Sequence, residues 1–132
     1  MGRRVKLLLD THAFLWAVMQ PGQLSKKSRK LLENPDNGLL ISAASAWEIA
    51  TRFRLGKLPS AAVVVSDFER VVQRLGAVML PVSHAHALLA GSYSQPHRDP
   101  FDRLLAAQAE IEGLPLVSKD PSLRQFGVEV VW

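Results

Sequence analysis

The sequence predicts an α/β protein, a three-layer α/β/α sandwich with a mainly parallel central sheet of about five strands. Short apolar segments rich in Leu, Val and Ile alternate with longer segments that have the composition of amphipathic helices. Strands buried on both faces of a parallel sheet form such continuous apolar runs. At 132 residues, the chain fits one domain, 1–132, that is long enough to bury a substantial core.

Composition and charge limit the classes of protein to consider. No run approaches the roughly 20 apolar residues of a membrane span, and the apolar run after the basic residues 1–4 is too short for a signal peptide. The absence of cysteine excludes disulfides, thiolate metal sites and cysteine nucleophiles. We therefore expect a cytoplasmic protein with no membrane partner. The net charge of +4 is a weak indication of a polyanionic partner.

Strands and helices follow one another in the order that covers both faces of a parallel sheet with helices. The predicted strands are residues 5–9, 39–41, 77–82, 114–118 and 128–131, and the predicted helices are residues 12–20, 25–33, 43–55, 60–75, 83–92 and 100–112.

Turn and capping residues bound the helices in the first half of the chain. Pro21 and Gly22 end the first helix, and a run of cations marks the solvent-exposed face of the second. Ser42 or Ser45 can cap the third helix, and Gly56 ends it.

The fourth helix follows Pro59, and Ser83 can cap the fifth, which carries two histidines. We expect His84 and His86 to lie at or near the surface. Residues two apart do not share a helix face, so the pair favours a structural role over a metal site. Pro115 limits the start of the fourth strand.

Two acids stand at the beginning of the sixth helix. Pro100 is suited to the first helical turn, and Asp99 is a preferred N-cap residue. Asp102 faces the positive end of the helix dipole. Either acid can serve as a cap, and either can bind a ligand.

Further acids follow the predicted strands. Asp10 ends the first strand, Asp120 follows the fourth, and Glu48 lies in the helix after the second. With Asp102, these acids can converge at the edge of the sheet where α/β proteins bind ligands. Clustered carboxylates repel one another unless a hard cation neutralises them, and ligands that are all oxygen suit Mg²⁺ or Mn²⁺. Such an ion can activate water to cleave a phosphodiester.

Other interpretations of single residues stay open. Glu48 has apolar neighbours, so an inward orientation is costly unless it is paired or binds a cation, whereas an outward one needs no explanation. Three aromatic residues in apolar helical contexts, Trp16, Trp47 and Phe101, are assigned to the core rather than to base stacking. The chain has no nucleophile elbow, P-loop or GxGxxG motif, and Thr11 and His12 follow Asp10 where an aspartyl-phosphate mechanism would need a second Asp.

Four segments, taken in order, resemble the signature blocks of PIN-domain ribonucleases and, more narrowly, of VapC-type toxins from bacterial toxin–antitoxin pairs. They are LLLDTH at 7–12, SAASAWEI at 42–49, HRDPFDR at 97–103 and SKD at 118–120. The resemblance extends to the closing strand GVEVVW at 127–132.

This resemblance implies a Mg²⁺- or Mn²⁺-dependent endoribonuclease that forms a homodimer and is neutralised by an antitoxin whose tail covers the active site. The acids that match the family's metal ligands and catalytic positions are Asp10, Glu48, Asp102 and Asp120. Asp99 is then a cap or a supporting residue. Thr11 and Ser118 match small hydroxyl positions that can hold a water molecule or a carboxylate.

If the chain is such a ribonuclease, the cations that lie near these acids in the sequence can bind RNA phosphates. Such contacts add affinity rather than sequence specificity. They are Arg52, Arg54, Lys57, Arg98, Arg103 and Lys119. For each of them, solubility and compensation of helix dipoles explain the charge equally well.

Two other classes of function compete with the endoribonuclease. One is a non-catalytic module that binds RNA or protein and uses its acids as helix caps. The other is a metal-dependent phosphatase or DNA nuclease, because the metal chemistry alone does not select a substrate with a 2′-hydroxyl.

Overall fold

The computed structural model describes residues 5–132, which form a five-stranded sheet in the order β3-β2-β1-β4-β5. All four strand pairings are parallel, so the predicted sheet is confirmed. The strands are β1 (Lys6–Leu9), β2 (Gly38–Ser42), β3 (Ala77–Leu80), β4 (Leu116–Val117) and β5 (Val130–Val131). The basic residues 1–4, which precede the apolar run that is too short for a signal peptide, lie outside the described residues.

Seven α-helices and three short 3₁₀ segments connect the strands within the described chain. The α-helices are α1 (Thr11–Met19), α2 (Lys26–Glu33), α3 (Ala43–Arg54), α4 (Ala62–Ser66), α5 (Phe68–Arg74), α6 (His84–Ser92) and α7 (Pro100–Glu112). The 3₁₀ segments are Pro21–Gln23, Pro59–Ala61 and Pro121–Phe126. Within residues 5–132, none of the helices is long and apolar enough to cross a bilayer.

The sheet separates two hydrophobic cores, which makes the molecule three-layered as predicted. Successive side chains of a strand point to opposite faces. Leu7 and Leu9 of β1 therefore pack in one core with Phe14 of α1, while Leu8 packs in the other with Leu105 of α7. A strand with two buried faces must be apolar at every position, which explains the continuous Leu run.

The register of the sheet aligns the carboxyl ends of its three middle strands. Leu9 at the end of β1 is level with Ile41 of β2 on one side and with Val117 of β4 on the other. The residues that follow these three therefore lie at the same edge of the sheet. They are Asp10 after Leu9, Ser42 after Ile41 and Ser118 after Val117.

The single helix predicted over residues 60–75 is wrong. The chain forms the 3₁₀ turn Pro59–Ala61, then α4 and α5, with Asp67 between them in a non-helical conformation (φ −141°, ψ 47°). Three consecutive valines, 63–65, lose side-chain freedom in a helix, and Asp competes for backbone hydrogen bonds. The last two strands, β4 and β5, are also shorter than predicted, with two residues each.

Candidate active site

Asp10 links the end of β1 to the start of α1. It is the N-cap of α1, where its Oδ1 accepts a hydrogen bond of 2.8 Å from the Ala13 amide. Burial raises the pKa of this carboxyl, and the nearby Glu48 raises it further, whereas hydrogen bonds from Ser118 and Ala13 oppose the shift. Asp10 is therefore a buried acid whose charge the fold only partly compensates.

Glu48 faces the interior, which decides between the two orientations left open by the sequence. Only 3% of its surface is exposed, and its Oε2 lies 2.9 Å from Nη2 of Arg52, one turn further along α3. Arg52 retains 37% exposure of its side chain. Glu48 raises the pKa values of both Asp10 and Asp102, which shows that it is close enough to repel each of them.

Asp102 lies in the first turn of α7 and is half-buried. Its pKa is raised to about 6, first by burial and then by the negative charges of Asp99 and Glu48. The opposing influence comes from His97, whose Nε2 lies 3.0 Å from Oδ2 of Asp102. No role was predicted for His97. It lies on a loop five residues before Asp102, where no helical or strand periodicity indicates that the two side chains meet.

Asp99 is the N-cap of α7, as one of the two sequence interpretations proposed. Its Oδ1 accepts hydrogen bonds from the amides of Phe101 (2.9 Å) and Asp102 (3.3 Å). These bonds satisfy two amide groups that have no partner within the helix. Asp99 thus fixes the beginning of the helix that carries Asp102.

Asp120 is exposed and caps the 3₁₀ segment Pro121–Phe126. Its Oδ1 accepts from the Ser122 amide at 2.9 Å, and hydrogen bonding to Ser122 lowers its pKa, with a smaller contribution from His97. Ser118 is buried and contacts two of the acids: it hydrogen-bonds Asp10 and accepts from the Asp120 amide at 3.0 Å.

The structure therefore places Glu48 close enough to repel both Asp10 and Asp102, and it relates Asp120 to them through Ser118 and His97. The donor chemistry fits a hard divalent cation, because buried carboxylates that repel one another are stabilised by positive charge. Within residues 5–132, however, no three acidic or histidine side chains are already arranged around a common metal position.

Each acid instead has a partner within the protein. Asp10 accepts from an amide of α1, Glu48 is paired with Arg52, and Asp102 is bound to His97. A cation at this edge of the sheet would compete with these partners for the carboxylate oxygens.

A hydroxyl pair ties together the two helices that carry the first two acids. Oγ1 of Thr11, at the start of α1, donates to Oγ of Ser45 on α3 at 3.0 Å, and both residues are buried. The α3 N-cap is Ser42 rather than Ser45, with its Oγ accepting from the Ala44 amide at 2.9 Å. Thr11 therefore helps to hold α1 against α3.

Most of the predicted RNA-binding cations are exposed, but Arg103 is not available for such a role. Arg54, Lys57, Arg98 and Lys119 are all solvent-exposed.

The guanidinium of Arg103 is used inside the protein. It donates to the carbonyl groups of Ala90 (2.8 Å), Tyr93 (2.7 Å), Gln95 (2.9 Å) and His97 (3.0 Å). Four of its five N–H groups are used in this way, three on the loop between α6 and α7 and one on α6 itself, which argues against the RNA-binding role expected for Arg103. Instead, Arg103 holds the loop that delivers His97 to Asp102.

The assignment of Trp47 to the core is also wrong. Trp47 is 57% exposed and packs against Phe101 with the ring centroids 4.7 Å apart and the planes at 77°. Trp16 is half-buried and contacts Trp132 with a centroid separation of 5.7 Å. The exposed Lys119 places its Nζ 5.8 Å from the Trp16 ring centroid.

One of the two predicted surface histidines is buried. His84 is exposed, but His86 keeps only 3% exposure. Its Nδ1 accepts from the Ser83 amide at 2.9 Å, and its Nε2 lies 3.0 Å from Oε2 of Glu112. The packing of α6 on α7 supplies this carboxylate, so burial of the imidazole leaves neither nitrogen without a partner.

Comparisons with known proteins identify a family and several similar chains. The family model described as PIN domain matches residues 7–129. Ribonuclease VapC22 of Mycobacterium tuberculosis is 32% identical over 118 residues, which cover 89% of each chain. Ribonuclease VapC16 of the same organism is 43% identical over 60 residues, a segment that covers 46% of this chain and 43% of VapC16.

Solved structures with low sequence identity share the fold. VapBC2 from Rickettsia felis bound to a promoter DNA fragment contains a chain with a TM-score of 0.65 and 15% identity, with 96% of this chain and 98% of that chain covered. A toxin–antitoxin complex from Klebsiella pneumoniae gives a TM-score of 0.61 at 17% identity, with 96% of each chain covered. FitAB bound to the IR36 DNA fragment gives 0.57 at 18% identity, with 95% and 93% covered.

Proposed function

We propose that this chain, which belongs to the PIN-domain family, is a metal-dependent endoribonuclease and the toxin of a toxin–antitoxin pair. The observation that carries the proposal is the position of Glu48, a buried acid at the carboxyl edge of the sheet that repels both Asp10 and Asp102. Similarity to two VapC ribonucleases, over 89% and 46% of this chain, supports the choice of RNA as substrate.

The proposed cofactor is Mg²⁺, with Mn²⁺ as the alternative, and its proposed ligands and catalytic acids are Asp10, Glu48, Asp102 and Asp120. The bound ion would supply a Lewis acid that activates water and offsets negative charge on the phosphate. Oxygen-only donors and the buried, like-charged carboxylates support this assignment.

The chain's own residues would prepare the site for that ion. His97 holds Oδ2 of Asp102, which leaves the other carboxylate oxygen available. Ser118 connects Asp10 to the segment that carries Asp120. The bond between Thr11 and Ser45 keeps α1 and α3 together beneath the acids.

Four exposed cations are proposed to contact RNA phosphates, namely Arg54, Lys57, Arg98 and Lys119. Arg52 can contribute only if it leaves its ion pair with Glu48. A net charge of +4 supports attraction of a polyanion, and contacts of this kind would make affinity strongly dependent on salt.

The remaining proposals concern partners and setting. The structural neighbours include toxin–antitoxin complexes, which supports a cognate antitoxin as the protein partner. We further propose that residues 1–132 form a single nuclease domain, that the toxin is a homodimer, and that it acts in the cytoplasm, where RNA substrates are abundant.

The proposal is tested by giving the purified protein single-stranded RNA, single-stranded DNA of the same sequence and p-nitrophenyl phosphate, all with Mg²⁺ at one salt concentration. We expect internal cleavage of RNA alone. Equal cleavage of DNA or hydrolysis of the phosphoester alone would instead favour the metal-dependent nuclease or phosphatase. RNA binding without cleavage of any substrate would favour the non-catalytic module.

A further inference from the structure

An aromatic pair, one ring exposed and the other half-buried, lies beside the candidate active site and has no role in the chemistry proposed above. Trp47 and Phe101 are the residues that immediately precede Glu48 and Asp102. Their rings meet edge to face with a centroid separation of 4.7 Å, so the pair joins α3 to α7. Trp47 remains 57% exposed although it contacts Phe101.

The helix geometry explains why this pair lies at the rim of the acidic site. Consecutive residues of an α-helix point about 100° apart around its axis. Glu48 is buried and Trp47 is turned outward beside it, whereas Phe101 and the neighbouring Asp102 are both half-buried. A molecule that covered the two rings would therefore reach the neighbouring carboxylates.

The charges around the pair indicate which kind of molecule would cover the two rings. Arg54 lies seven residues after Trp47, about two turns along the same face of α3, and it is exposed. Arg98 is exposed three residues before Phe101. Aromatic rings flanked by cations match the pattern by which proteins bind single-stranded nucleic acid, with bases on the rings and phosphates on the cations. A surface for an apolar protein partner would be bordered by apolar residues.

We propose that the Trp47–Phe101 pair is a stacking site for one nucleobase of the RNA, adjacent to the phosphate that is cleaved. The inference rests on the proposed ribonuclease function and adds a binding residue to it. Trp47 provides the ring on which the base stacks, and Phe101 holds that ring in place. Every base has a flat π-face, so this contact tolerates different sequences while it fixes the position of the strand.

The test measures equilibrium binding of a fluorescein-labelled RNA oligonucleotide by anisotropy in EDTA, so that cleavage does not interfere. W47A is expected to weaken binding roughly 5- to 150-fold, the range typical of one lost base stack, and W47F much less because it keeps an aromatic face. L88A removes an apolar side chain that is 68% exposed on α6 and should leave binding unchanged.

A set of oligonucleotides with one abasic position each makes the test specific for stacking. We expect one abasic position to weaken binding by the wild type and to cause no further loss in W47A. The inference is overturned if W47A binds intact RNA like the wild type. It is equally overturned if W47A and base removal reduce binding independently, or if W47A changes only the oligomeric mass.

The two proposals fail in distinguishable ways. Absence of RNA cleavage by the wild type in Mg²⁺ would contradict the ribonuclease function, whereas the binding comparison in EDTA does not depend on cleavage. Thermal unfolding of W47A should change only slightly, because the ring is 57% exposed and the substitution removes its edge-to-face contact with Phe101.

Discussion

The Nε2 atom of His97 lies 3.0 Å from Oδ2 of Asp102, and Nδ1 of the same imidazole lies 3.3 Å from Nε2 of Gln125. When an amide N–H of Gln125 is donated to Nδ1, the neutral imidazole carries its proton on Nε2 and donates it to Asp102. This contact fixes the orientation of an acid that burial would otherwise favour in its protonated form.

The raised pKa of Asp102 predicts that its charge destabilises the metal-free protein. The pKa is about 6 in the fold, compared with an ordinary value of 3.8, so the folded state binds more protons between these values. The free energy of unfolding should therefore fall as pH rises from about 4 to 6, by about 3 kcal/mol at most.

In EDTA at pH 7.5, D102N should accordingly melt at a higher temperature than the wild type, and most of this gain should disappear at pH 4. Asn can still accept the hydrogen bond from His97, so the comparison isolates the charge. D36N, at an exposed turn position, serves as the matched control and should change little. An equal gain at both pH values, or none at pH 7.5, would contradict this assignment.

Addition of Mg²⁺ or Mn²⁺ should raise the melting temperature of the wild type at pH 7.5, because a cation relieves the repulsion among the acids. Binding at a hundred times Kd contributes about 2.7 kcal/mol. The increase should be smaller at pH 5, where Asp102 is mostly protonated, since metal ligands must lose their protons. An unchanged melting temperature at saturating metal, relative to NaCl of equal ionic strength, would argue against a metal site.

The hydrogen bonds of Arg103 predict a large effect for a substitution that keeps its charge. R103K should lower the free energy of unfolding by about 2–4 kcal/mol, because a single ammonium group cannot reach four carbonyls and leaves partly buried acceptors unpaired. Urea denaturation measures this change, and R98K, at an exposed neighbouring position, is the control. A loss from R103K no greater than that from R98K would refute the role of Arg103 in holding the loop.

The two histidines of α6 should respond differently to removal. H86A is expected to destabilise the fold by about 2–3 kcal/mol, because it opens a cavity and leaves the Ser83 amide without its acceptor. H84A, at an exposed site, should cost less than about 0.5 kcal/mol. Equal effects of the two substitutions in denaturant unfolding would show that burial of His86 has been misassigned.

The layered fold was predictable because its signals are local. The continuous Leu run of β1 requires two apolar surroundings, and the two cores on either side of Leu8 supply them. Where local signals conflict, the sequence was insufficient. Residues 60–75 contain helix formers, but also three consecutive valines and Asp67, and the chain divides at Asp67 into α4 and α5.

Within the site, the sequence predicted which acids follow the strands but not which partners they take. Arg103 binds carbonyls that precede it by 6 to 13 residues, at the end of α6 and on the irregular loop after it, and no periodic pattern reveals such contacts. The assignments of Trp47 and His86 were reversed for a related reason. Residue type suggests an apolar ring inside and an imidazole outside, whereas the inward position of Glu48 turns Trp47 outward, and Glu112 provides a partner for a buried His86.

The most direct test of the proposed chemistry is cleavage of single-stranded RNA under three conditions: wild type with Mg²⁺, wild type with EDTA, and D102N with Mg²⁺. We expect cleavage only in the first, and its recovery when Mg²⁺ is added in excess of EDTA. D36N with Mg²⁺ should cleave like the wild type. Equal cleavage under all three conditions would contradict a metal-dependent site built on Asp102.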